Sequence, residues 1–180
     1  MHYWFIFCDG KLLLKHSRKD IEALPSSNEP PCPMGLNAKE FQFDTILGFT
    51  ARSFYADFPV NIDGYEWVPL RQCFERLGTE LYNIAGKCEE LTHFDGHTQY
   101  CSHCGEKLEE LTPISKVCPS CHNEYWPQLS VAVIVLIRKG HEALLVRAKN
   151  FRKHFFGLVA GFVETGETLE EALCREVYEE

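Results

Sequence analysis

Apolar residues come in short blocks along the first half of the chain. Two apolar runs, residues 3–8 and 11–15, flank Asp9-Gly10. Asp-Gly between apolar runs signals a tight hairpin turn, so the spacing predicts a β-hairpin at the start of the chain. Residues 41–49 read as a further strand, separated from the hairpin by a polar Pro/Ser-rich loop over 23–35. One more strand signal lies in the stretch that begins at Asn61. From about Leu70 the period changes: Leu70, Cys73, Phe74, Leu77, Leu81, Ile84 and Ala85 recur at helical spacing.

The second half is patterned differently. Residues 97–127 are short-period, turn-rich and punctuated by cysteine pairs. Two strong strands are expected at about 130–138 and 143–148, around a Lys-Gly-His-Glu loop. Residues 155–167 read as a strand feeding a glycine-bearing loop. A helix then opens at Thr168, with Glu171 three residues on as a capping box.

That last helix has an unusual charge pattern. At about 100° per residue, Leu169, Ala172 and Leu173 lie within about 60° of Glu176, and so do Glu179 and Glu180. The acids continue the apolar stripe rather than opposing it. Three carboxylates at i, i+3 and i+4 repel one another. A divalent cation would neutralise them, and hard oxygen ligands suit Mg2+ or Mn2+. The alternative is an exposed acidic turn.

Composition narrows the class. The 180 residues are 45% hydrophobic and 13% aromatic, enough for packed cores, with a net charge of −8. Such a charge gives no general pull toward a nucleic-acid backbone or an anionic membrane. No run of about 18 apolar residues appears, and the apolar start lacks a basic leader region, so a cytoplasmic protein without a membrane span is expected.

Nine cysteines are present. Four form two pairs, Cys101-x2-Cys104 and Cys118-x2-Cys121, thirteen residues apart. Two such knuckles supply the four soft ligands of a tetrahedral structural Zn2+ site, and a short β-hairpin fits the spacer. Four protein ligands leave no open position for catalytic water. The alternatives are a redox dithiol pair or four unrelated core cysteines; His103 or His122 could also replace one ligand.

The spacing Gly161, five residues, Glu167, seven residues, Arg175-Glu176-Val177-x-Glu179-Glu180 resembles the Nudix box of the Nudix hydrolases. The resemblance implies cleavage of a diphosphate that links a nucleoside to another moiety. It implies that Glu176, Glu179 and Glu180 hold Mg2+ or Mn2+ or help activate water, that Arg175 pairs with Glu167 to brace the loop-helix, and that Gly161 permits a tight turn. The order of a four-cysteine module followed by the box resembles the zinc-ribbon NADH pyrophosphatases, the NudC-type enzymes.

That resemblance is strong over about 97–180 and weak over 1–96. It implies an α+β chain in three parts: an N-terminal Nudix-like α+β domain (1–96), a zinc ribbon (97–127), and the first part of a Nudix α/β/α sandwich with a mixed sheet (128–180). It further implies hydrolysis of NADH or NAD+ to nicotinamide mononucleotide and AMP, action on NAD-capped RNA, and a homodimer. By match, Phe162 stacks on nicotinamide, the Ala160 carbonyl joins the metal shell, and Trp126 and Arg71 contact substrate. The plainer alternatives are core or interface aromatics and a surface arginine. The box lacks its last three positions, x-Gly-aliphatic, and the family's Gln-Pro-Trp-Pro-Phe-Pro segment. The 180 residues are therefore expected to belong to a longer chain and to be inactive alone. Other readings are a Nudix hydrolase for another nucleoside diphosphate such as ADP-ribose, and a non-catalytic zinc-ribbon binding module.

Overall fold

A computed structural model describes residues 2–34, 41–44, 50–147 and 155–180. It divides into two compact units, Met1–Pro127 and Gln128–Glu180. The chain is α+β, mixing helices with several sheets.

The first unit is built on the expected hairpin. Strands β1 (His2–Cys8) and β2 (Lys11–Lys15) pair antiparallel with Cys8 opposite Lys11. Asp9 and Gly10 make the turn at φ 49° and 68°, the two positive values that a two-residue hairpin of matching twist requires. β3 (Ser26–Ser27) pairs with the start of β1. β4 (Phe41–Asp44) and β5 (Thr50–Tyr55) extend the sheet on one side, and β6 (Tyr65–Pro69) on the other. The order is β4-β5-β1-β2-β6, with β1 and β5 parallel and the other pairs antiparallel. The strand expected over 41–49 is seen over 41–44; residues 45–49 lie outside those described.

The apolar runs of β1 and β2 are continuous because both faces of the sheet are covered. Phe5, Phe7, Leu12 and Leu14 pack on one face against Leu77, Leu81, Ala85 and Cys88 of α1 (Phe74–His97). Trp4, Ile6, Cys8 and Leu13 pack on the other with Cys32, Phe54 and Ala56. The helical stripe starts later than its spacing suggests. Leu70–Gln72 is a 3-10 turn, and Phe74 is exposed against Tyr82, their ring centroids 5.5 Å apart. Gly78, at φ 69° and ψ 173°, interrupts α1 and shifts the phase of the stripe between Phe74 and Leu81.

Beyond α1, β7 (Glu109–Thr112), β8 (Ser115–Val117) and β9 (Glu124–Tyr125) form a three-stranded antiparallel sheet that carries the cysteine knuckles. Lys116 ties this sheet to the end of α1. Its ammonium pairs with Asp95 Oδ1 at 2.9 Å and donates to the carbonyls of Asp95 and Thr98 at 2.9 and 2.8 Å. It also lies 5.6 Å from the Phe94 ring centre. All three ammonium protons are thereby used at a helix C-terminus, where the backbone carbonyls favour a cation.

In the second unit β10 (Ala132–Val135) pairs antiparallel with β13 (Val159–Phe162), while β11 (Arg138–Lys139) and β12 (Glu142–Ala143) make a small hairpin. The single strand expected over 130–138 is thus two. The expected four-residue loop is shorter: Lys139 pairs with Glu142, and Gly140-His141 alone make the turn. Of the strand expected over 143–148, Ala143 pairs with Arg138 and Val146 bridges Gly157; residue 148 lies outside those described. Helix α2 (Leu169–Glu179) follows β13. No described helix is long and apolar enough to cross a membrane.

Candidate functional site

The segment from β13 through α2 is held by polar contacts. Thr168 caps α2: its hydroxyl accepts from the Glu171 N–H at 3.2 Å, and the Glu171 carboxylate accepts from the Thr168 N–H at 2.8 Å. This is the capping box that the sequence predicts, and the Thr168 N–H holds the Glu171 carboxyl below its usual range.

Arg175 is the centre of the segment. Its Nε and Nη2 donate to the two oxygens of Glu167 at 3.1 and 2.7 Å, a bidentate fork. Nη2 also donates to the Phe162 carbonyl at 2.9 Å, joining the end of β13 to the loop. Nη1 reaches Glu176 at 2.8 Å and Glu179 at 3.4 Å. Glu167 in turn accepts from the Glu164 N–H at 2.6 Å. The guanidinium, with help from that N–H, holds the Glu167 carboxyl below its usual range, and Glu167 and Glu176 raise Arg175.

Gly161 has a different role from the tight turn expected of it. It lies within β13, opposite Val133, with no positive φ. A Cβ built on it would overlap the Glu176 carboxylate. Glycine is required because the Glu176 side chain, 13% exposed, packs directly on the strand backbone.

The acidic stripe is only partly realised. Ala172 is buried and Leu173 and Glu176 are half-buried, as the helix wheel implies, but Leu169 is 55% exposed and Glu179 and Glu180 face solvent. Glu176 and Glu179 both turn toward Arg175, so this chain's own cation supplies part of the neutralising charge. Among the described residues the one set of three or more His, Cys, Asp or Glu ligand atoms lying within 4.8 Å of one another is the four cysteines; the three glutamates are not gathered that closely. Ala160, opposite Ile134 in the ladder, precedes the glycine.

The aromatic candidates are surface residues. Phe162 is 66% exposed and lines a groove of about 370 Å3 with Leu129, Val131 and Glu164. Trp126, in the first unit, is 44% exposed. Neither is a core aromatic. Arg71, in the turn before α1, is exposed and lines a separate groove of about 490 Å3 with Gly10, Tyr82 and Glu89.

The four cysteines converge. Sγ atoms lie 3.5 Å apart for Cys101 and Cys121, 3.4 Å for Cys104 and Cys118, and 3.7 Å for Cys104 and Cys121. A tetrahedron of thiolates about 2.3 Å from a zinc ion has edges of about 3.8 Å, whereas a disulfide would need about 2.05 Å. The set fits a metal ion and not a pair of disulfides. His103 and His122 stay outside it. The two knuckles repeat one backbone pattern. In the first, the Cys101 N–H donates to the Glu106 carbonyl and the Gly105 N–H donates to the Cys101 carbonyl. In the second, Cys118, Asn123 and His122 make the same two bonds. Gly105 and His122 occupy the same left-handed position, at φ 79° and 61°. The remaining described cysteines are free thiols; Cys8, Cys32, Cys73 and Cys88 are buried and Cys174 is exposed.

Tyr125 is a residue that the spacing argument misses. Its hydroxyl donates to Cys101 Sγ at 3.1 Å and accepts from the Ser102 N–H at 3.0 Å. That bond is the main cause that draws the Cys101 thiol down to about 5. The Glu106 N–H draws Cys104 down as well, but its bond to Cys118, burial, and Cys101 and Cys121 outweigh that and push it up to about 12. Protons are thus unevenly shared among the four sulfurs, which a bound cation would resolve by taking thiolates. An aromatic four residues after the second knuckle is the only sequence signal for this role.

Comparison with known proteins agrees with the geometry. The NUDIX domain family matches residues 126–180. The chain is 33% identical over 182 aligned positions to a protein of Chromobacterium violaceum named NAD-capped RNA hydrolase NudC, covering 98% of this chain and 64% of that one. Proteins of the same name from Stutzerimonas stutzeri and Erwinia tasmaniensis are 31% and 39% identical over 128 and 112 positions. Those alignments cover 71% and 62% of this chain and 46% and 42% of theirs. The chain therefore spans less than two thirds of the length of these relatives. The family match falls on the strand, loop and helix just described, so residues 126–180 carry a Nudix domain, and the similarity to the Chromobacterium violaceum NudC protein runs through nearly all of the chain.

Proposed function

We propose that the protein hydrolyses the diphosphate bond of NADH or NAD+, giving nicotinamide mononucleotide and AMP, and removes NAD caps from RNA as its relatives' names describe. The observation that carries this is the Arg175 lattice. It fixes Glu167, Glu176, Glu179 and the end of β13 within the segment that matches the Nudix domain. In this reading the functional parts are 1–96, the ribbon 97–127 and the catalytic 128–180.

In this reading Glu176, Glu179, Glu180 and the Ala160 carbonyl supply hard oxygen donors, which suit Mg2+ or Mn2+. Such an ion supplies charge neutralisation of the diphosphate and a lowered pKa for the attacking water. Arg175 and Glu167 position the glutamates, and Gly161 lets Glu176 sit on the strand. Exposed Phe162 offers an open ring face for the nicotinamide, and Trp126 and Arg71 are further substrate contacts. Cys101, Cys104, Cys118 and Cys121 hold structural Zn2+. A cytoplasmic location agrees with the free thiols, and a homodimer rests on the resemblance. The reading as a nucleic-acid-binding ribbon is weakened by Lys116, one of only two lysines in 97–127 and without an arginine beside them: it is buried against α1.

The test is nicotinamide mononucleotide release from NADH by the full protein with Mn2+. Glu179→Gln should lower the rate by at least about 100-fold. A variant that keeps the wild-type rate removes Glu179 from the reaction.

A further inference from the structure

Helix α1 ends in the turn His93-Phe94-Asp95-Gly96-His97. Residues four apart share a helix face. Here the His93 and His97 rings stack with centroids 3.9 Å apart and planes 16° from parallel, and both side chains are exposed. His97 Nδ1 lies 2.9 Å from the His93 carbonyl oxygen. A carbonyl only accepts, so Nδ1 carries the proton, and in the neutral ring Nε2 keeps the lone pair. Ligating histidines are held in this way: the nitrogen remote from the metal donates to a carbonyl or carboxylate and fixes the tautomer.

We propose that His93 and His97 form a bidentate site for a borderline divalent transition ion, of the zinc, nickel or copper(II) class, separate from the four cysteines. Imidazole nitrogen suits these ions, whereas magnesium and calcium prefer oxygen. The helix end adds its own attraction for a cation. Because both rings are exposed, they can turn out of the stack and bring the two lone pairs together without disturbing the core. Among the described residues no third ligand joins the pair, so the remaining positions belong to water. The pair brackets Asp95, whose carboxylate and carbonyl hold Lys116 of β8. An ion spanning this turn therefore steadies the helix end to which the cysteine-bearing sheet is fastened.

The experiment is nickel binding to the full protein, without a histidine tag, with its four-cysteine metal in place and with the proposed oxygen site removed by Glu176→Gln, Glu179→Gln and Glu180→Gln in every sample, by equilibrium dialysis with both metals quantified. One nickel per chain is expected. Its affinity should fall at least about tenfold in His93→Gln and in His97→Gln, a loss no smaller than that for removing a ligand's outer hydrogen-bond partner. The double variant should bind no more weakly than either single one, since both rings are needed for the chelate. Nickel should raise the melting temperature of the protein that keeps both histidines and not of the histidine variants. The metal content of the cysteine cluster should be unchanged throughout, which shows that the variants are folded. Nickel binding that survives either substitution, or that is lost instead on replacing His103 or His141, overturns the proposal.

Discussion

The two units of the chain keep their order by different means. In the first, a sheet with both faces covered buries Trp4, Phe5, Ile6, Phe7, Leu12, Leu13 and Leu14 almost completely. In the second, Val159 and Ala172 are the buried apolar residues among those described, while Ile134, Phe162 and Tyr178 are strongly exposed. The difference is one of currency. Burial of apolar area stabilises the first unit at about 25 cal/mol per Å2. The loop and helix of the second are positioned by directed bonds: a capping box, a bidentate fork, and a carboxylate seated on a glycine. Directed bonds fix the positions of these atoms, whereas apolar burial sets the stability of the first unit.

The sharpest way to break the comparison is to make one truncation in both units. Phe7→Ala removes a fully buried ring and should cost about 3–5 kcal/mol. Phe162→Ala removes a ring that is 66% exposed and should change stability by no more than about 0.5 kcal/mol. Urea unfolding of both variants measures this directly. Equal losses would show that the second unit has a core comparable to that of the first.

The next effect tests a buried polar contact of the first unit. Lys116 and Asp95 are each 11% exposed and bonded to one another. Lys116→Met leaves Asp95 without its cation and should cost about 2–3 kcal/mol, less than a fully buried pair because some solvent remains. Adding Asp95→Leu should recover part of the loss, since the stranded charge is then removed. If the single variant melts like the wild type, the sheet that carries the knuckles is not held through this lysine.

Much of this was legible in the sequence, and the parts that were not share a cause. The Asp9-Gly10 hairpin, the Thr168 capping box and the spacing of the cysteines are local patterns, and local patterns survive reading in one dimension. The Gly78 break in α1 was hidden because one glycine in a periodic stripe is usually tolerated. Lys116 and Tyr125 were missed because their partners are distant in sequence: Asp95 for one, Cys101 for the other. Gly161 was placed in the right motif for the wrong reason. Its requirement comes from Glu176, fifteen residues away, and no backbone signal at the glycine itself reports that contact.

That contact can be tested where the first unit has no counterpart. Gly161→Ala puts a methyl group where the Glu176 carboxylate lies, so the side chain must move. Because the strand itself has no strained φ, global stability should change little. Displacing a positioned group by about 1 Å can cost about 100-fold in rate, so the loss should fall on turnover. Comparing turnover with the melting temperature of the variant separates the two. A variant that loses stability but keeps its rate would mean that Glu176 is a packing residue.

The smallest effect concerns acid. Arg175 holds the Glu167 carboxyl below its ordinary value of about 4.3. A carboxyl with a lowered folded pKa contributes stability that is complete above its unfolded pKa. That contribution fades as the pH falls through the folded value. The loop over 163–167 should therefore stay closed at neutral pH and loosen only below about pH 4.3. Arg175, raised still further by its glutamates, remains charged throughout and contributes no pH dependence of its own in this window. Hydrogen exchange at the Glu164 N–H, which Glu167 accepts, reads this opening. In Glu167→Gln the amide should exchange faster than in the wild type at neutral pH once the ordinary pH dependence of exchange is removed, and the difference should shrink in acid. A difference that persists unchanged to pH 2 would mean that the shape of the glutamate, and not its charge, holds the loop.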